Sequence, residues 1–145
     1  MDCDKLLCLT DLFATFVAAA KVALPKDAAP DSLNQLPLLE HPVGTPAIRT
    51  EMVYMGREGG LRSGDWFYSP KQGPMGLFGT FYMKQMGFKN SDYDGNDLRQ
   101  DAQPAQLYNV KDDVGQTTNL YSKYPEIAAQ MDARLKEILR QRKSR

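Results

Sequence analysis

The stretch Gly60-Leu61-Arg62-Ser63-Gly64-Asp65-Trp66-Phe67-Tyr68-Ser69-Pro70 sets the architecture of this chain. Leu61-Arg62 and Trp66-Phe67-Tyr68 favour extended backbone, and Ser63-Gly64-Asp65 between them suits a tight turn, so the stretch reads as a β-hairpin. Pro70 ends the pairing, because proline has no N–H to give to a ladder. Upstream, Glu51-Met52-Val53-Tyr54-Met55 reads as a strand and Gly56 to Gly60 as its turn. Downstream, Ala105 to Val110 is a further strand, followed by a polar turn through Asp112, Asp113 and Gly115. A helix begins at Pro125 and extends over 125–143: proline suits the first helical position and Glu126 the first turn. Ile127, Met131, Leu135, Ile138 and Leu139 form its apolar stripe, and Arg140, Arg142, Lys143 and Arg145 favour its C-terminal end. The fold class predicted is α+β, an antiparallel sheet packed with a C-terminal helix.

Ahead of the sheet, Thr10 to about Ala23 reads as a helix capped by Thr10, with Asp11 in its first turn and Pro25 after its end. It is apolar nearly all round, through Leu12, Phe13, Phe16, Val17 and Ala20 with Ala14, Ala18 and Ala19 between, and so expects burial on several sides. A small domain seldom has that much interior. The chain to Pro46 is turn-rich, with a short helical turn over Asp31–Leu36 that Pro37 would stop. Residues 1–46 therefore read as one segment and 47–145 as another. Within the second, 71–104 is an insert rich in Gly, Met and aromatics, with a short helix over Thr80–Met86. Loops of that length are uncommon in compact domains and are often functional.

Composition closes several functional classes. The 145 residues carry 18 Lys+Arg against 18 Asp+Glu, and a nucleic-acid binder normally shows a basic excess. No apolar run reaches the roughly 18 residues a bilayer span needs. Met1-Asp2-Cys3-Asp4-Lys5 is too acidic to open a secretory signal. Cys3 and Cys8 read as a frayed-end thiol and a small core residue. His41, the single histidine, lies in a polar connection, so neither a Cys/His metal cluster nor a histidine-based nucleophile is expected.

One constellation imitates a calcium loop. Asn90, Asp92, Asp94 and Asp101 would supply oxygens at positions 1, 3, 5 and 12, with Gly95 at 6. Asn90 at the first position, Asp97 at an apolar one and Asp101 in place of a bidentate glutamate weaken the pattern, and a solvated acidic turn is its other reading. The glycines of Met55-Gly56-Arg57-Glu58-Gly59-Gly60 read as a hairpin turn rather than a phosphate cradle. From the residues alone, no catalytic centre emerges.

Three stretches in order resemble the sulfatases, in particular arylsulfatase-like members. Thr10-Asp11-Leu12-Phe13-Ala14-Thr15, then Leu24-Pro25, Asp31-Ser32-Leu33 and Pro37-Leu38-Leu39, are similar to a D-L-x-x-T helix followed by an L-P turn and a D-S/G-x-S-x-x-P-x-L stretch. Gly60 to Trp66 is similar to their L/I-R-x-G-D-W-K strand pair. Gln106-Leu107-Tyr108-Asn109-Val110, Asp113, Gly115, Asn119-Leu120 and Tyr124-Pro125-Glu126 resemble their E-L-Y-D-L-x-x-D-P-x-E-x-x-N-L…h-P-E tail. Val114, Gln116 and Phe67 depart from that pattern at sheet and turn positions. The likeness covers most of the chain except 71–104.

The resemblance implies the C-terminal portion of the sulfatase/alkaline-phosphatase-like α/β fold: one buried helix of the large domain, then an antiparallel C-terminal subdomain. The family hydrolyses sulfate esters with calcium and a formylglycine made from the cysteine of C-x-P/S/A-x-R. Neither Cys3 nor Cys8 stands in that motif, and Glu58-Gly59-Gly60-Leu61-Arg62 falls on the wrong side of the D-L-x-x-T helix to be the family's E-G-G-x-R. The expectation is a fragment with no catalytic residue and no cofactor of its own. Phe78, Phe81, Tyr82 and Phe88 are then candidates to shape a substrate mouth. The expected partner is the missing N-terminal sulfatase domain, or a second copy through exposed apolar surface; a stand-alone interaction module is the alternative. Many relatives are exported.

Overall fold

The computed structural model describes residues 3–54, 59–73, 85, 91–94 and 97–141. It divides into two compact units, Met1–Met52 with Gln141–Arg145, and Val53–Arg140. The strands are β1 (Glu51–Tyr54), β2 (Gly60–Ser63), β3 (Trp66–Ser69), β4 (Tyr93–Asp94), β5 (Asp97–Leu98) and β6 (Gln106–Asn109). Four of them form an antiparallel sheet in the order β1-β2-β3-β6, while β4 and β5 pair separately.

The hairpin read from the sequence is β2–β3. Ser63 pairs with Trp66 across the two-residue turn Gly64-Asp65, and Gly64 takes φ 53, which glycine adopts without steric cost. β3 then pairs with β6 from Trp66↔Asn109 to Ser69↔Gln106. The outer edge of β6 is closed in turn, because Leu120 N–H donates to the Leu107 carbonyl at 2.7 Å and Leu107 N–H to Asn119 Oδ1 at 3.1 Å.

One sheet face packs on the last helix. Leu61, Tyr68, Ala105 and Leu107 meet Ala128, Met131, Leu135 and Ile138, with Val53, Trp66, Tyr121 and Ile127 partly buried around them. The helix-borne members lie at i, i+3, i+7 and i+10, one face of a 3.6-residue period. Leu139, counted in the stripe from sequence, lies one step round and is exposed, and Ala128 takes the inward place. Tyr68 stands in this core with its hydroxyl donating to Asp132 Oδ1 at 3.0 Å. Burial first, then that bond, raise its pKa.

The opposite face carries aromatics. Tyr54 and Phe67 meet edge to face at 5.5 Å, and Phe67 stacks on Tyr108 at 6.5 Å. The two described ends of the 71–104 insert are tied over this face. Gln106 donates its amide to the carbonyls of Lys71 and Gly73, Tyr108 shares a 2.7 Å hydrogen bond with Ser91, and Gly73 N–H donates to Asp92 at 2.7 Å. Gly73 is required there: its φ is 77 and a Cβ would lie 2.5 Å from the Tyr93 ring.

In the first unit, α1 spans Asp11–Ala19 and α2 spans Leu36–Glu40; the last helix is α3, Pro125–Gln141. Four expectations are corrected here. Thr10 makes no side-chain cap. The first amides of α1 go instead to the carbonyls of Cys8 and Leu9, and Ala14 N–H to Ser32 Oγ at 2.9 Å. The helix also ends before Ala23: Val22 N–H bonds the Val17 carbonyl and Lys21 N–H the Ala18 carbonyl, with Lys21 left-handed at φ 57. That is a Schellman end built without glycine. Pro37, read as a stop, lies in the first turn of α2, where its fixed φ suits a helix start. Cys8, read as a core residue on the helix, lies ahead of α1 and is half-buried.

The burial of α1 is the reverse of its expected pattern. Its buried residues are Asp11, Ala14 and Thr15, whereas Phe13 is 51% and Phe16 64% exposed. Across the described residues of the first unit the buried set is Asp11, Ala14, Thr15, Ser32, Gln35, Leu38 and Arg49, mostly polar.

Candidate functional site

Two polar centres stand out, one in each unit. In the first, Asp11 opens α1 with its carboxylate turned inward. Oδ1 accepts from Leu33 N–H at 2.9 Å and Arg49 Nη2 at 2.5 Å. Oδ2 accepts from Cys8 N–H at 3.1 Å, Gln35 Nε2 at 3.0 Å and Arg49 Nε at 2.8 Å. Burial would raise this carboxyl's pKa, but the Arg49 fork and the other donors outweigh it and bring the group from 3.8 to about 2. Arg49 is held protonated by the same pair, and its Nη2 also reaches the Asp31 carbonyl at 2.6 Å. Thr15, one turn on, donates to the Asp11 carbonyl at 2.6 Å and accepts from Gln35 N–H at 3.0 Å.

A depressed, buried carboxylate beside arginine is the usual look of an active site. The geometry assigns it another role. Five donors occupy the two oxygens of Asp11, which leaves no lone pair directed at a substrate. The cluster instead joins the start of α1 to residues 31–35 and to Arg49. It explains why Asp, Thr and Ser stand at positions 11, 15 and 32: Asp11 and Thr15 accept from the amides of Leu33 and Gln35 in the irregular 20–35 connection, and Ser32 from the Ala14 amide of α1.

The second centre is a small cleft of about 130 Å³ lined by Ser91, Asp92, Arg99, Asp101, Gln103 and Asn119, among others. Asp92 is buried and accepts from Gly73 N–H, from Ser91 Oγ at 3.2 Å and from Asn119 Nδ2 at 3.3 Å. Asn119 is the hub: its Oδ1 accepts from Leu107 and Tyr121 N–H, and its Nδ2 donates to the Ala105 carbonyl. Gln103 Oε1 accepts from the amide and hydroxyl of Ser122 at 2.7 Å each. Asp101 is exposed and held by a two-point pair with Arg99, both contacts 2.9 Å, which lowers its pKa. Nearby, Asp113 accepts from the amides of Thr117 and Thr118 and lies below the usual carboxylate range; burial opposes that shift and these bonds overcome it.

Of the calcium-loop candidates, Asp92 and Asp101 thus line one cleft. Asn90 and the Asp94 side chain lie outside the described residues, and the backbone of Asp94 pairs with Asp97 in the β4–β5 ribbon. Phe78, Phe81, Tyr82 and Phe88 also lie outside the described residues, as does the helix expected over Thr80–Met86 apart from Gln85. Among the described residues, no three His, Cys, Asp or Glu gather to hold a metal. No described helix is long and apolar enough to cross a membrane. Sequence reading missed Arg49 and Gln35. The signal for them was slight: a single arginine, and one of two adjacent amides, Asn34 and Gln35, in an otherwise plain connection, 38 and 24 residues from their partner.

No protein-family model matches this sequence, and no curated protein does. Solved structures do. One is a 6S-sulfatase from a Bacteroides thetaiotaomicron genetic locus for the metabolism of multiple glycosaminoglycans: 23% identity over 88% of this chain and 24% of that one, TM-score 0.59. Another was solved in complex with its substrate D-glucosamine-2-N,6-O-disulfate: 19% identity over 90% of this chain and 23% of that one, TM-score 0.53. The α+β arrangement described above is therefore a fold found within sulfatases. The chain spans about a quarter of the length of these structures.

Proposed function

We propose that this chain is the C-terminal portion of a sulfatase, a subdomain of the alkaline-phosphatase-like fold preceded by one helix of the large domain. The observation that carries the reading is the fold match over nearly the whole chain, reinforced by motifs in the sulfatase order whose residues have structural work to do. Asp11, Thr15 and Ser32 close the first unit, Leu61 and Leu107 fill the second core, and Asn119 locks the edge of β6.

The parent reaction is hydrolysis of a sulfate ester. Its two special groups do not fit the residues at hand. A formylglycine requires the cysteine motif that Cys3 and Cys8 lack, and among the described residues no three carboxylates, cysteines or histidines gather round a cation, while Asp92 and Asp101 are each engaged by their own donors. The nucleophile and the metal ligands accordingly belong to the part of the sulfatase fold outside this chain, and 1–145 contributes stability and one wall of the assembly. The test is the DNA ahead of residue 1. An in-frame C-x-P/S/A-x-R with metal-binding aspartates supports the reading; a frame that encodes an unrelated domain there overturns it.

A further inference from the structure

We draw no further inference here: the strongest candidate, the polar cleft of the second unit lined by Ser91, Asp92, Arg99, Asp101, Gln103 and Asn119, belongs to the site already described, and its polar side chains are engaged with one another, with Tyr108, with Ser122 and with the backbone, so that its paired carboxylates have no second observation pointing to a ligand.

Discussion

Asp11 shows how one side chain can set the pH response of a whole unit. Its carboxyl titrates at about 2 in the folded chain against 3.8 ordinarily. A depressed carboxylate pKa contributes stability that is complete above the unfolded value and lost as pH falls through the folded one. The loss therefore runs from about pH 4 down to about pH 2 and amounts to about 2 kcal/mol. Denaturation of the wild type across that window should show the fall. Asp11→Asn should remove the dependence and, by leaving the Arg49 guanidinium buried without its partner, cost about 3–5 kcal/mol at neutral pH. Lys21 makes the opposite case. Its left-handed φ of 57 is a conformation that glycine adopts freely, so Lys21→Gly should raise stability by up to about 1 kcal/mol, readable as a shift in the urea midpoint. Asp92 and Asp101 share a cleft but spend their oxygens on Gly73, Asn119 and Arg99. Calorimetry should accordingly find no calcium binding tighter than about millimolar; a micromolar isotherm abolished by Asp92→Ala would reverse that assignment.

At the scale of elements, what the sequence made legible is what short-range periodicity encodes. The α3 stripe and the β2–β3 turn depend on residues within a few positions of one another, and both were readable to within a residue or two. Leu135 lies at the centre of that packing, fully buried against the sheet. Leu135→Ala should cost about 2–5 kcal/mol in chemical unfolding, because the cavity adds to the lost transfer energy. The α1 pattern misled for an equally physical reason. A helix apolar nearly all round gives no directional signal, so nothing in its period marks Asp11 and Thr15 as the inward side. In the structure those residues face inward, since a partner 38 positions away in sequence can out-compete water for Asp11. Long-range pairing of that kind leaves no trace in a period of 3.6 or 2.

The whole chain joins an apolar-cored unit, sheet on helix, to one whose centre is polar and whose outside is aromatic. On the proposed reading, purified 1–145 should hydrolyse no aryl sulfate above buffer, with or without calcium, because neither Cys3 nor Cys8 stands in the motif from which the nucleophile would be made. Calcium-dependent turnover that follows the protein through purification would refute the assignment of chemistry to the rest of the fold. The meeting of Gly73 with Asp92 has a different consequence, one of evolutionary and engineering tolerance. Gly73 and Asp92, on either side of residues 74–90, are bonded to each other, so the path between them is closed at its base whatever its length. Closing a loop twice as long costs only about 0.6 kcal/mol more. The intervening stretch is thus a socket into which segments of differing size can be spliced. A variant with about four glycines and serines in place of residues 74–90 should melt within a few degrees of the parent, provided Gly73, Ser91, Asp92 and Tyr93 are kept.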